Sequence, residues 1–178
     1  MYRLKRTVAL VGMMGAGKSS VGRRLAARLG VPFRDADTEI ETAAGCTITE
    51  IFERFGEADF RDGERRVIAR LLGDAPHVLA TGGGAFIDPR TRTEIKTHAF
   101  SIWLRASVEL LASRVQRRDT RPLLRQGDPK EILTRLLAER EPIYAEADLQ
   151  LDSEEGPHGA VVERIVAALG ERGLLEKA

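Results

Sequence analysis

The stretch GMMGAGKSS, residues Gly12–Ser20, follows the apolar run TVALV and precedes an amphipathic helical pattern. It matches G-x-x-x-x-G-K-[ST] in the strand–loop–helix setting that gives this pattern its meaning. Glycines let backbone N–H groups converge on phosphate oxygens, and the N-terminus of the following helix adds a favourable dipole. The sequence therefore predicts a nucleoside triphosphate site. There Lys18 reaches the β- and γ-phosphates and the hydroxyl of Ser19 binds Mg²⁺.

Short apolar runs alternate with helical patterns along the rest of the chain. This alternation favours layers of helices around a mostly parallel sheet, with right-handed crossovers between its strands. Five runs are predicted to be strands: Thr7–Val11, Val31–Asp37, His77–Thr81, Ala99–Leu104 and Ala147–Asp152.

Capping signals predict where several helices begin and end. TITE, from Thr47, is a capping box, and Gly56 is expected to end the helix that it opens. Asp88-Pro89 and Asp128-Pro129 each combine an N-cap with proline at the first helical position. Pro142 is expected to kink or end the helix that begins at Pro129.

Composition narrows the class of protein. The chain has 178 residues, 43% of them hydrophobic and 31% charged, which is typical of one globular domain with a real core. Its net charge of +1 gives no electrostatic reason to expect a nucleic-acid partner. Cys46 is the single cysteine, so an internal disulfide is impossible and a reducing cytoplasm fits. A membrane-spanning helix needs about 18 consecutive apolar residues, and the sequence has no apolar run of that length.

The phosphate loop alone leaves three classes open: a small-molecule kinase, a switch GTPase or motor ATPase, and a nucleotide-binding module without catalysis. The candidate strand His77–Thr81 ends in Gly82–Gly84, where a GTPase or ATPase would normally keep a magnesium-binding aspartate. Nor does the sequence contain the Asn/Thr-Lys-x-Asp pattern that reads guanine. Glycines at this position suggest that a small acceptor approaches the backbone closely, which favours a small-molecule kinase. The alternative for Gly82–Gly84 alone is a flexible turn.

Two acids close the second predicted strand, at the sheet edge where open α/β folds bind ligands. If Asp35 continues the extended strand, Asp35 and Asp37 lie on one face because side chains alternate with period two. One could then face the metal and its waters while the other faces an acceptor hydroxyl. The alternative is that both acids only cap the next helix.

Several arginines are candidate ligands for anions. Glu64 could orient Arg61 toward a substrate carboxylate, although the sequence alone favours an exposed surface ion pair. The basic, aperiodic segment Arg114–Arg125 is interpreted as a lid that could supply an arginine to the transferred phosphoryl group, and the alternative is a solvated basic loop. Arg140, close to Pro142, could be directed inward by a kinked helix.

The remaining candidates have no functional pattern. His77, His98 and His158 lack metal-ligand spacing, and Trp103 in a predicted strand is expected to be core. The segment near Asp152–Ala160, where an adenine loop would lie, matches no pattern.

Taken together, these motifs resemble the shikimate kinases, in the order in which that family carries them. The match extends from Thr7 to Asp152. It consists of the phosphate loop Gly12–Ser19, the pair Asp35 and Asp37, Phe60–Glu64, the triple glycine Gly82–Gly84, Arg121-Pro122-Leu123 and Arg140–Glu146.

The resemblance implies a three-layer α/β/α fold of the P-loop type, with a five-stranded parallel sheet in the order 2-3-1-4-5. It implies one domain over residues 1–178, with a lid at about 112–127 and substrate-binding helices at about 35–64. The implied reaction is ATP- and Mg²⁺-dependent phosphorylation of the 3-hydroxyl of shikimate, in the synthesis of chorismate and aromatic amino acids. A cytoplasmic monomer without nucleic-acid or membrane partners is expected.

The resemblance also implies site residues. Lys18, Asp37 and Arg121 would be catalytic, and Ser19 would hold Mg²⁺ directly with Asp35 acting through water. The ATP site would comprise Gly15, Ala16, Gly17, Lys18, Ser19, Ser20, Arg114 and Arg121, with Arg114 over the adenine. The shikimate site would comprise Asp37, Arg61, Gly82, Gly83, Gly84 and Arg140, with both arginines on the carboxylate. A kinase for another small molecule, such as gluconate, and a binding module remain alternatives.

Overall fold

A computed structural model describes residues 1–115, 127–153 and 158–178. Its strands are β1 (Tyr2–Leu4), β2 (Thr7–Val11), β3 (Phe33–Asp35), β4 (Val78–Ala80), β5 (Ala99–Arg105), β6 (Leu149–Asp152) and β7 (Leu175–Lys177). Its helices are α1 (Lys18–Leu29), α2 (Ala36–Ala44), α3 (Ile48–Leu72), α4 (Pro89–His98), α5 (Val108–Val115), α6 (Pro129–Tyr144) and α7 (Gly159–Glu171), with a 3₁₀ turn at Ala85–Ile87.

Five of the strands form a parallel sheet in the order β3-β4-β2-β5-β6. Counted from β2, this is the predicted order 2-3-1-4-5. The central strand β2 is buried at every position, as a parallel strand covered on both faces requires. Helix α1 packs against α7, and α3 packs against α4. The fold class predicted from the sequence is therefore confirmed.

A second, two-stranded sheet pairs β1 with β7 antiparallel, so that Tyr2 faces Lys177 and Leu4 faces Leu175. This sheet could not be predicted from the sequence, because strands of three residues are too short to show the alternation of apolar and polar side chains. It joins the two ends of the described chain beside the main sheet.

The helix boundaries largely agree with the capping signals. Thr47 and Glu50 form the capping box that opens α3, and Gly56 interrupts that helix with φ +83°. Asp88 and Asp128 cap α4 and α6. Helix α6 continues past Pro142 and ends only at Tyr144. Within the described ranges, no helix is long and apolar enough to cross a membrane.

Candidate functional site

Two adjoining cavities lie where β2, β3 and β4 end, at the carboxyl edge of the sheet. The phosphate-loop cavity is lined by Gly15, Gly17, Lys18, Ser19, Ser20, Asp35, Asp37, Thr81, Gly82, Arg114, Val115 and His158. The arginine cavity is lined by Met14, Asp37, Glu41, Thr47, Ile48, Thr49, Phe52, Phe60, Arg61, Glu64, Gly82, Gly83, Gly84 and Arg140.

The phosphate loop follows β2 in a conformation that depends on its glycines. Gly12 has φ +140°, and a Cβ there would lie 2.7 Å from the carbonyl oxygen of Leu104 in the neighbouring strand. Gly17, at the N-cap of α1, has φ +95°, and no side chain of the described residues caps this helix. The N-terminus of α1 is therefore suited to bind an anion.

Lys18 is folded back into the loop. Its Nζ donates to the carbonyl oxygens of Gly12 at 2.6 Å and Met13 at 2.8 Å, and the side chain is buried. The ammonium group is thus held beside the backbone that is expected to surround the phosphates.

Asp35 links the second strand to the phosphate loop. Its Oδ2 accepts a hydrogen bond from Ser19 Oγ at 2.8 Å, and its Oδ1 accepts one from the N–H of Asp37 at 3.0 Å. The second bond caps α2, which begins at Ala36. The prediction that Asp35 and Asp37 share one face of an extended strand is therefore wrong, because capping turns the chain into a helix between them. Asp35 both caps the helix and reaches Ser19.

Asp37 lies where the two cavities meet, since its side chain lines both. Gly82 makes room for it: a Cβ at Gly82 would lie 3.0 Å from Asp37 Oδ1 and 3.2 Å from Glu64 Oε2. A side chain at position 82 would press on both carboxylates. The carboxylate of Asp37 is thus placed between the phosphate loop and the arginine cavity.

Arg61 is held by a buried carboxylate. Its Nη1 donates to Glu64 Oε1 at 2.7 Å, and the side chain of Glu64 is 1% exposed while that of Arg61 is 18% exposed. The sequence-based preference for an exposed surface ion pair is therefore wrong, because packing of α3 on the core buries the acid. Burial raises the pKa of Glu64, and the charge of Arg61 opposes this shift. A Cβ at Gly84 would lie 2.6 Å from Arg61 Cζ, so a side chain at position 84 would push the guanidinium out of its present place.

Arg140 reaches the same cavity from α6. Its Nη1 donates to the carbonyl oxygen of Gly83 at 3.3 Å. The arginine cavity therefore combines two guanidinium groups, from α3 and α6, with the backbone of the triple glycine. This is a suitable site for a small carboxylate.

Arg114 and His158 also line the phosphate-loop cavity. Arg114 Nη1 donates to the carbonyl oxygen of Gly15 at 3.1 Å and to Ser153 Oγ at 3.2 Å. Burial lowers the pKa of His158, and the charges of Arg24 and Arg114 add to the shift. The sequence analysis assigned no role to His158, because no motif marks it.

Part of the predicted lid is outside the described residues. Arg121 and the rest of segment 116–126 are among the residues that the structure does not describe.

A sequence profile described as shikimate kinase matches residues 14–170. The shikimate kinase of Caulobacter vibrioides is 60% identical over 164 residues, which are 92% of this chain and 82% of that protein. The shikimate kinase of Paramagnetospirillum magneticum is 59% identical over 167 residues, covering 94% of this chain and 86% of that protein.

Solved structures agree with these sequence matches. Shikimate kinase from Acinetobacter baumannii, in complex with shikimate, superposes with a TM-score of 0.91 at 39% identity and covers 94% of each chain. A gluconokinase from Sinorhizobium meliloti reaches a TM-score of 0.64 at 21% identity, over 96% of this chain and 94% of that one. That second likeness shows the fold alone.

Proposed function

The chain belongs to the shikimate kinase family, and we propose that it transfers the γ-phosphoryl group of ATP to the 3-hydroxyl of shikimate. The products are shikimate 3-phosphate and ADP. One observation carries this proposal: Asp37 lines both the phosphate-loop cavity and the arginine cavity. A group at that junction can contact an acceptor hydroxyl and face the donor phosphate at the same time.

Shikimate has the shape and charge that the arginine cavity fits. It is a cyclohexene ring with a carboxylate at one end and hydroxyls on the opposite side. With the carboxylate on Arg61 and Arg140, the hydroxyl side of the ring points toward Asp37. Phe52 and Phe60, whose ring centroids are 4.7 Å apart, give this cavity an apolar wall for the ring.

The transfer itself depends mainly on positioning and on neutralising charge. Asp37 orients the 3-hydroxyl and accepts its proton as the new oxygen–phosphorus bond forms. The bond between the γ-phosphorus and the bridging oxygen breaks, and ADP leaves with its electron pair. Lys18 offsets charge on the phosphate oxygens, and Arg121 is proposed to do the same from the lid.

Ser19 and Asp35 are suited to hold Mg²⁺. Their oxygens lie 2.8 Å apart beside the phosphate loop and are the hard ligands that this ion prefers. When bound, Mg²⁺ would neutralise part of the phosphate charge. Ser19 would hold the ion directly and Asp35 through a water molecule, as the family resemblance implies.

Further features of the enzyme stay predictions. We propose that the chain acts as a monomer, as the resemblance to the shikimate kinases implies. We also propose a single domain over residues 1–178, with substrate-binding helices at about 35–64 and a lid at about 112–127. A cytoplasmic location rests only on the single cysteine.

An ADP-release assay with different acceptors tests the proposed reaction. We expect release with ATP and shikimate, and only background release with gluconate or without an acceptor. The physical reason is that a rigid ring fixes the distance from carboxylate to hydroxyl, whereas the open chain of gluconate does not. Equal turnover with gluconate would favour a different small-molecule kinase. Release without any acceptor would indicate an ATPase, and no release in any reaction would favour a binding module.

A further inference from the structure

Tyr144, the last residue of α6, is fully buried behind the arginine cavity. Its hydroxyl donates a short hydrogen bond to the carbonyl oxygen of Gly83. The same carbonyl accepts the hydrogen bond from Arg140 Nη1 at 3.3 Å, one helical turn earlier in α6. One backbone oxygen of the triple glycine is therefore shared by a phenol and a guanidinium from the same helix.

Tyr144 also contacts the segment that forms the phosphate loop. Its hydroxyl lies 3.9 Å from Met13 Sδ, and its ring lies beside Trp103 with centroids 5.6 Å apart. The backbone of Gly83 also lies close to the phosphate loop: a Cβ at Gly83 would be 3.3 Å from the backbone N of Met14. Tyr144 thus lies where the phosphate loop, the triple glycine Gly82–Gly84 and α6 meet.

The surroundings keep Tyr144 a neutral donor. Burial raises the pKa of its phenol, while Arg140, through its charge and a hydrogen bond, and the more distant charge of Arg61 oppose that shift. A neutral phenol can donate one hydrogen bond, and the carbonyl oxygen of Gly83 accepts it.

We propose that Tyr144 is a positioning residue for the acceptor: its hydroxyl fixes the Gly83 carbonyl and thereby sets Arg140 for binding the carboxylate. This inference rests on the proposed function. Without the hydroxyl, the guanidinium is the one donor that the described residues still offer this buried carbonyl, and a buried acceptor that loses a partner is unfavourable. Arg140 then has to satisfy this carbonyl alone, which draws its guanidinium toward the triple glycine and away from the substrate.

The variant Tyr144→Phe tests the proposal, with Thr7→Val as the matched control. Both remove one buried hydroxyl, but Thr7 lies at the far end of β2, where its Oγ1 accepts a hydrogen bond from the N–H of His77 at 3.4 Å. We expect Tyr144→Phe to raise the KM for shikimate about fivefold or more, as loss of one good hydrogen bond predicts. The KM for ATP should stay within about twofold of the wild-type value, because the substitution removes no charge and Tyr144 does not line the phosphate-loop cavity. Thr7→Val should change neither KM.

A double variant separates positioning from loss of packing. In an Arg140→Ala background, Tyr144→Phe should add little to the KM for shikimate, because the residue through which it acts is already gone. Additive effects would overturn the proposal, as would an unchanged KM for shikimate in Tyr144→Phe alone. If the wild-type protein does not phosphorylate shikimate, the proposed function is overturned together with this inference. If the wild type is active but the variants behave as just described, the inference about Tyr144 alone fails.

Fluorotyrosine labelling keeps the test available if Tyr144→Phe does not fold. The chain has two tyrosines, and Tyr2 in the terminal sheet provides an internal reference. We expect shikimate to shift the fluorine NMR resonance of residue 144 and leave that of residue 2 in place. A resonance of residue 144 that shikimate does not move would overturn the proposal.

Discussion

Replacing Asp37 by asparagine is expected to lower kcat by about 10²–10⁴-fold, the usual contribution of a positioned general base. Asparagine keeps the size of the side chain but cannot accept the proton of the 3-hydroxyl. Because asparagine fills the same space in the phosphate-loop cavity and Gly12–Ser20 is expected to bind the ATP phosphates, the KM for ATP should change little. Steady-state kinetics with both substrates varied measures the two effects separately.

Glu39→Gln is the matched control for Asp37→Asn. It removes a carboxylate from the same helix, α2, where Glu39 accepts a hydrogen bond from Arg70 at 3.4 Å and lines neither cavity. Its kcat should match that of the wild type. Near-normal turnover in Asp37→Asn would remove Asp37 from the chemistry and leave it at most a structural role.

Replacing Arg140 by alanine is expected to weaken shikimate binding by about 1.5–3 kcal/mol, because a hydrogen bond to a charged group is lost. This corresponds to a rise of about 10- to 150-fold in the dissociation constant. ATP affinity should barely change, because Arg140 lines the arginine cavity and not the phosphate-loop cavity. Calorimetric titration with each ligand alone measures both.

Arg135→Ala, on the exposed surface of α6, removes the same charge without touching either cavity. It should leave shikimate affinity unchanged. Equal losses for shikimate and ATP in Arg140→Ala would argue against a carboxylate role and for a general electrostatic or folding defect.

The phosphate loop could be predicted from sequence because its chemistry and its local conformation are encoded in the same nine residues, Gly12–Ser20. The capping box and the two Asp-Pro pairs likewise act over one helical turn, so the helix starts at Ile48, Pro89 and Pro129 were predictable. The strand order was implied by the resemblance to a family. No periodicity in this chain encodes which strands are neighbours.

Features that depend on tertiary packing could not be predicted in the same way. Whether the pair Arg61–Glu64 is exposed or buried depends on which face of α3 meets the core, and the spacing of the two residues is the same in both cases. The strand β3 ends at Asp35 because a side-chain cap competes with extension, and the local sequence allows both. In the sequence, nothing distinguishes Tyr144 from an ordinary core residue near the end of a helix. Its hydrogen bond to Gly83 joins residues 61 positions apart and becomes apparent only in the folded chain.

The central claim is that the arginine cavity holds the acceptor by its carboxylate and so presents one particular hydroxyl to Asp37. The position of the phosphate in the product tests this most directly. A phosphorus–proton NMR correlation spectrum of the product from ATP and shikimate should connect the phosphorus with the proton on carbon 3 alone. A correlation with the proton on carbon 4 or carbon 5 would contradict the proposed orientation of the substrate.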